Sequence, residues 1–279
     1  MKKILYINLP ESLAEQIDEF TLDSSIPLPV EIPEGQEDSW DIGQLNWPAL
    51  ISGMLYVLQE KPNGRDSDYY RSLLKAVRPD IVNTVLTTAQ LKVDQEQFSF
   101  AEELFKTLCA LEPEVSLHRS NLALFYKKRD EYRLKDNPEY SRALHEIKEK
   151  NWDKGIALIE SFLGNHSDSS NGWFLLGWAL RQTEKWAQAF QAFQRAGEVA
   201  PPTAELLNEM SLCESEQGNW NRALEHLEEG LKLEEDNPTL LSNMAMVCLK
   251  MNDLSRADQI LNRLKEIDPD DPMVQHFLG

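Results

Sequence analysis

The residues of this sequence best suited to catalysis or metal binding are its histidines and its many carboxylates. Metal sites on helices use spacings such as His-x-x-x-His, which place two ligands on one face. The five histidines lie far apart, and no pair has such a spacing: they are His118, His145, His166, His226 and His276. We therefore predict no metal site and no catalytic constellation among these groups.

Phosphate chemistry also lacks its sequence signature. A phosphate-binding loop needs several glycines close together, so that backbone N–H groups can surround the anion. Gly53, Gly64 and Gly155 are isolated from one another. Acidic pairs such as Glu228-Glu229 are common on exposed helix faces and carry no chemistry by themselves. We predict that the protein is not an enzyme and uses no cofactor.

Cysteine usage and the N-terminus favour a cytoplasmic location. The apolar run from Ile4 to Leu9 follows Met1-Lys2-Lys3, but it is too short for an export signal. No run approaches the ~20 apolar residues that a membrane span needs. Three widely separated cysteines fit small buried hydrophobes in a reducing compartment; they are Cys109, Cys213 and Cys248.

The chain is strongly acidic, with a formal net charge of -19. This charge argues against nucleic acid, because phosphates require Lys and Arg, and against anionic membrane surfaces. It favours partners with basic residues at low salt. An alternative is that the excess charge only keeps an elongated protein soluble.

The strongest pattern in the sequence is a helical hairpin between Trp173 and Pro201. Two amphipathic stretches at helical spacing flank a polar break at residues 182–185, which predicts two helices and a short turn. Small residues stand where a facing helix comes close, and large residues fill the remaining space. The small ones are Gly177, Ala189 and Ala196, and the large ones are Trp173, Leu176, Trp186 and Phe193.

This hairpin pattern recurs with a constant period, in units at 136–169, 170–203, 204–237 and 238–271. Four columns agree on the period, so the repeat predicts a stack of similar hairpins. The columns are Trp152, Trp186, Trp220 and Leu254; Gly155, Ala189, Ala223 and Ala257; Gly177, Ser211 and Ala245; and Trp173, Leu207 and Leu241.

The repeated unit resembles the tetratricopeptide repeat, a helix–turn–helix with a period of about 34 residues. The resemblance implies an all-α solenoid of helical hairpins, wound as a right-handed superhelix whose first helices line a concave face. It also implies a scaffold that binds peptides or extended segments there. The repeat pattern makes Trp152, Trp186 and Trp220 core residues, and we expect Trp186→Ala to cost about 3–5 kcal/mol.

We predict three regions: 1–45, an acidic N-terminal segment containing prolines; 46–135, degenerate hairpins and a long helix; and 136–279, the regular array with a short C-terminal cap. In the first region, Ile4 to Leu9 predicts a strand and Pro10 to Phe20 a helix. The prolines of residues 26–33 force an extended path that we expect to lie on a surface. A disordered arm is the alternative.

The middle region predicts four helices, starting near Trp47, Asp66, Asp80 and Phe98, with capping residues at the first three starts. A longer helix from Ser116 to about residue 135 breaks the period. It carries a basic cluster, which is either a solvated face or a docking patch for the chain's own acidic arm (Glu31 to Asp41) or for an acidic partner. The cluster comprises Lys127, Lys128, Arg129, Arg133 and Lys135.

The candidate binding groove consists of first-helix residues that the repeat pattern does not require. Phe174 and Trp178 share one helix face, and they offer an aromatic shelf beside carboxylates and amides. The alternative is that this face packs against another part of the chain. The candidates are Asn171, Phe174, Leu175, Trp178, Arg181, Glu205, Asn208, Glu209, Leu212, Asn243 and Met246.

The favoured function is a protein-protein interaction scaffold whose partner segment carries apolar and basic residues. The basic clamp of chaperone-binding tetratricopeptide repeats is absent from the corresponding positions, which hold residues such as Glu205 and Glu209. Two alternatives remain. In one, the N-terminal arm occupies the groove of its own chain and regulates it. In the other, the protein is a non-catalytic subunit of a larger complex.

Overall fold

A computed structural model describes residues 3–8, 20–32 and 40–278. It divides into two compact units, Met1–His118 and Arg119–Gly279. Most of the helix predicted at Pro10 to Phe20 lies outside the described residues. None of the helices in the described ranges combines the length and apolarity that a membrane crossing requires.

The first unit contains a two-stranded antiparallel sheet packed on a helix. Strand β1 (Lys3–Ile7) pairs with β2 (Leu28–Ile32), and Leu5 lies opposite Val30. The strand and the extended path predicted here are both present. Leu28 and Val30 are almost fully buried, and β2 packs on helix α1 (Trp47–Glu60). Gly53 permits this approach, because a Cβ there would clash with the carbonyl of Pro29.

In the described part of the first unit, a short 3-10 turn (Ile42–Gln44) is followed by four helices. Asn46 caps α1 through the N–H of Ala49, as predicted. Asp66 and Asp80 occupy the N-cap positions of the next two helices but make no capping hydrogen bond, so that part of the prediction was wrong. The remaining helices are α2 (Ser67–Val77), α3 (Ile81–Asp94) and α4 (Phe98–Leu111).

The second unit is an array of helical hairpins preceded by the long helix α5 (Ser116–Leu134). The array follows the predicted period from α7 onwards. First helices are α6 (Pro138–Lys148), α8 (Ser170–Gln182), α10 (Ala204–Glu216) and α12 (Pro238–Lys250). Second helices are α7 (Trp152–Asn165), α9 (Trp186–Val199), α11 (Trp220–Leu233) and α13 (Leu254–Ile267), and α14 (Pro272–Leu278) follows them.

Each hairpin turns through one residue in the left-handed region. In the α8–α9 turn, Glu184 has φ 59°, and the N–H of Lys185 bonds the carbonyl of Leu180 at 3.0 Å. This bond closes the end of the first helix as a Schellman motif does. Gly218 takes the same position in the next turn, with φ 78°. The other residues of the set are Glu96, Lys150 and Asn252.

The small columns are buried as predicted, but the tryptophan column is not a full core column. Ala189, Ala223 and Ala257 are buried, and at Gly177 a Cβ would lie 2.7 Å from the Phe193 ring. By contrast, the tryptophans that begin the second helices are only half-buried, and their counterpart Leu254 is 61% exposed. Each side chain starts a helix at the edge of the array, so part of it faces solvent. We therefore lower the expected cost of Trp186→Ala to about 1–3 kcal/mol.

Candidate binding grooves of the repeat array

The first helices of successive repeats are joined by polar residues predicted for the groove. Arg181 Nε on α8 lies 2.6 Å from Glu209 Oε2 on α10, and their side chains are only 23% and 12% exposed. Neither atom has a hydrogen bond within the described residues, so this is an ion pair without hydrogen-bond geometry. Burial raises the pKa of Glu209 more than the Arg181 guanidinium lowers it, and the charge of Glu205 raises it further.

A second polar link joins the next two first helices. Asn243 Nδ2 on α12 donates to Asn208 Oδ1 on α10 over 2.7 Å. Both residues are half-buried. The two links use four of the predicted groove residues to hold neighbouring first helices together.

Helix α5 lies along the loops where the predicted groove begins. Lys127 Nζ is 2.7 Å from Glu205 Oε2, and Arg133 is 2.8 Å from Asp168 Oδ2. Nearer the start of α5, Ser120 Oγ donates to the carbonyl of Leu233 at 2.9 Å. The helix therefore contacts the first and third repeats of the array, and two members of the basic cluster bind the chain's own acidic residues.

The carboxylate of Asp130 on α5 binds the N-terminus of α8, in the second repeat. Its Oδ2 accepts hydrogen bonds from Ser169 Oγ at 2.9 Å and from the Asn171 N–H at 2.8 Å. Asp130 is 4% exposed. A carboxylate is favourable at this position because the helix dipole and the free N–H groups both stabilise negative charge. The side chain of Asn171 bonds α5 as well, donating to the Lys127 carbonyl at 3.2 Å.

The predicted aromatic shelf of Phe174 and Trp178 is partly covered by other residues of the chain. Phe174 lies 5.5 Å from the Phe193 ring, centroid to centroid, and lines a small cavity shared with Ala123 of α5. Trp178 packs edge-to-face on Trp152 at 5.7 Å. Leu175 is buried in the core. These contacts place the aromatic pair against other parts of the chain, the alternative left open by the sequence.

The remaining candidates line an open groove between α10 and α12. Leu212, Asn243 and Met246 border a cavity of about 470 Å³ together with Trp220. Met246 is 42% exposed. The polar rim includes Glu216 and Lys250, both exposed. This cavity has the size and mixture of apolar and polar groups that binding sites need.

The register of the repeats explains why this groove is open. Ser215 and Asn243 occupy, one repeat later, the positions of Arg181 and Glu209, the pair that fills the corresponding space between α8 and α10. The shorter serine and the uncharged amide leave that space empty between α10 and α12. Comparing aligned repeats position by position therefore locates the groove from sequence.

The sequence interpretation missed the contribution of α5 and of Trp220 to these surfaces. The position of Asp130 inside the basic cluster could have indicated that α5 packs on the array. A helix that carries both charges can pair with acidic residues and also bind a helix N-terminus. Trp220 was treated as core, yet it borders the groove.

The two cysteines of the array are both buried. In the described ranges, no three His, Cys, Asp or Glu side chains come close enough together to hold a metal ion. Cys213 is buried as a free thiol, and burial raises its pKa to about 12, so it stays protonated and acts as a small hydrophobe.

Stacked helical hairpins with a grooved face define a helical-repeat protein. Two stretches of the chain match sequence profiles described as tetratricopeptide repeat, at residues 140–202 and 215–279. These two stretches are therefore tetratricopeptide repeats, as the sequence pattern predicted. The repeats support a protein-interaction scaffold.

Individual relatives share only parts of this chain. Over 109 residues, 39% of the chain, it is 29% identical to anaphase-promoting complex subunit 3 of Schizosaccharomyces pombe, and it spans 16% of that protein's length.

Solved structures with a similar fold are more distant in sequence. A MamA fragment from Desulfovibrio magneticus RS-1 is 10% identical to this chain. The match covers 69% of this chain and 98% of the MamA fragment, with a TM-score of 0.46. YrrB, described as a TPR protein with an unusual peptide-binding site, is 14% identical. The match covers 74% of this chain and 96% of the YrrB chain, with a TM-score of 0.45. At TM-scores this low, neither likeness bears on what this chain binds.

Proposed function

We propose that this protein binds a segment of a partner protein on its concave face, with an apolar side chain held in the groove between α10 and α12. The observation that carries the proposal is the open cavity bordered by Leu212, Trp220 and Met246. Apolar walls with a few polar groups at the rim suit a peptide anchored by one large side chain. In the preceding repeat, the ion pair of Arg181 and Glu209 occupies the aligned positions.

The charge of the site and of the whole chain favours a partner with basic residues near its apolar anchor. Glu216 at the rim is exposed and forms no ion pair with any residue in the described ranges. The net charge of -19 attracts cationic segments and repels nucleic acid and anionic membranes. Lys250 on the opposite wall can donate to a peptide carbonyl. We place this activity in the cytoplasm, where free thiols such as Cys213 are kept reduced.

Regulation by the N-terminal arm is a weaker candidate. The extended segment of that arm is strand β2, whose Leu28 and Val30 are buried against α1. Removing it would expose that core, so we expect deletion of residues 1–41 to destabilise the first unit.

The groove can be tested by filling it with the pair found one repeat earlier. Peptides selected from a random displayed library on the full chain should combine an apolar anchor with Lys or Arg. We expect Ser215→Arg with Asn243→Glu to weaken their binding at least about tenfold, measured by fluorescence polarisation, because the new ion pair occupies the cavity.

The matched control introduces the same residue types on an exposed face of α13, as Ser255→Arg with Asn262→Glu. This variant should bind the selected peptides as the unchanged chain does. Equal affinity of both double variants, with helical circular dichroism preserved, would place the peptide elsewhere and reject the groove.

A further inference from the structure

A second cavity lies on the side of the array formed by the second helices, between α7 and α9 and above α8. Its volume is about 520 Å³. Trp173, Leu176 and Ala192 form an apolar floor, while Glu160 and Gln188 stand at the mouth. The groove of the proposed function is bordered mainly by first helices, so the two sites have no lining residue in common.

The floor is deep because one position in the repeat carries an unusually small side chain. Ala192 occupies the same repeat position as Leu158, His226 and Ile260 in the other units. All three side chains are larger than alanine; His226 contacts the Phe190 ring of α9, and Ile260 is buried. A methyl group at residue 192 leaves that volume unfilled and exposes part of the Trp173 indole, which is only half-buried.

Residue 188 at the mouth lacks the cation that the array has at the aligned position two repeats later. Arg195 also lines the cavity, but its guanidinium pairs with Glu198 at 2.8 Å. Between α11 and α13, the guanidinium of Arg256 pairs with Glu228. The aligned residues between α7 and α9 are Gln188 and Glu160. Glu160 is exposed and has no ion pair with any residue among those the structure describes. The cavity is therefore missing both groups that Arg256 and Ile260 of α13 provide in their own repeat.

We propose that this cavity binds a partner protein segment that carries an arginine close to a branched apolar side chain. The guanidinium takes the position equivalent to that of Arg256 and pairs with Glu160. The apolar side chain fills the volume above Ala192 and packs on the Trp173 indole. The carboxamides of Gln188 and Gln191, which each carry a donor and an acceptor, bond the backbone of the segment.

The strength of this contact can be bounded from its parts. An exposed ion pair contributes little by itself and is screened by salt, whereas the apolar contact adds in proportion to the area that it buries. A short peptide therefore binds weakly, and tight binding requires a partner that also uses another surface, such as the groove between α10 and α12. Binding at this cavity should weaken as the salt concentration rises.

The test uses the full chain and the probe peptide acetyl-Arg-Ala-Ala-Ala-Ile-amide, followed by NMR. We expect shifts of the Trp173 indole N–H and of the Gln188 and Gln191 side-chain amides. Glu160→Gln should weaken the binding about fivefold. The matched control, Glu225→Gln, removes an exposed carboxylate from the next second helix and should leave the affinity unchanged.

A second variant fills the cavity with the chain's own groups. Gln188→Arg with Ala192→Ile copies the α13 arrangement and should abolish the shifts while helical circular dichroism is retained. If this variant unfolds, the comparison of Glu160→Gln with Glu225→Gln decides alone. The proposal is overturned if those two bind equally, if the filled cavity still binds, or if the probe shifts only Trp220 and Met246.

Discussion

Two neighbouring junctions of the array, α8 with α10 and α10 with α12, share one backbone but differ in what fills the space between the helices. Their first helices have the same length, their turns use the same left-handed position, and their registers match. Arg181 and Glu209 close the first junction. Ser215 and Asn243 leave the second open. The columns that specify the repeat therefore determine the stack, and the positions between them determine where a cavity opens between first helices.

The largest expected difference concerns the apolar side chain at the same register in each junction. Trp178 packs on Trp152 beside the core, so Trp178→Ala should cost about 2–4 kcal/mol. Leu212 borders an open groove, and Leu212→Ala should cost about 1 kcal/mol. Urea unfolding of both variants measures the two costs. Similar values would mean that the two junctions are packed alike.

Breaking the ion pair of the closed junction should have the next largest effect. Arg181→Ser leaves the Glu209 carboxylate buried without its partner, at a cost of about 1–3 kcal/mol. Combining it with Glu209→Asn reproduces the pair of the open junction and should restore at least half of that loss. Thermal unfolding of the single and double variants checks this. No recovery in the double variant would show that the arginine acts through packing of its stem.

Substitutions in the two turns should change the free energy of unfolding by smaller amounts and in opposite directions. Gly218→Ala forces a side chain into the left-handed region and should cost about 1 kcal/mol. Glu184→Gly relieves the same strain one repeat earlier. Its gain should be only a few tenths of a kcal/mol, because glycine also makes the unfolded chain more flexible. Chemical denaturation of both variants tests the signs, and a stabilising Gly218→Ala would contradict them.

The smallest effect is a pH dependence confined to the closed junction. The folded pKa of Glu209 lies above its unfolded value, chiefly through burial. Its contribution to stability is therefore full below the unfolded pKa and is lost as the pH rises through the folded pKa. Glu209→Gln should remove this loss and flatten the stability profile above the unfolded pKa. An unchanged slope of stability against pH would show that Glu209 titrates normally.

The repeat pattern was sufficient to predict most of the fold of the second unit. Small residues such as Ala189 and Ala223 have one physical cause, the close approach of facing helices, and that cause recurs at every repeat. The first unit was harder to predict because its period is degenerate. Even so, the prolines before and within β2 indicated its extended path, and the structure shows what it lies on.

The candidate groove was less predictable, because its polar residues were identified one helix at a time. Whether Arg181 faces a ligand or a neighbour depends on Glu209, which belongs to the next repeat. Similarly, Asn171 and Phe174 have the positions of groove residues, but α5 lies against them. Single-helix periodicity gives the direction of a side chain and does not show which other element reaches it.

Helix α5 also changes how the array should respond to force and heat. In a simple repeat stack each hairpin contacts only its neighbours, so units can open one at a time. Here the bonds of α5 to Asp168, Asn171 and Leu233 tie three successive repeats to one helix. Opening any of these repeats must break contacts with that helix. The repeats from α6 to α11 should therefore unfold as one cooperative block, while α13 and α14 fray separately.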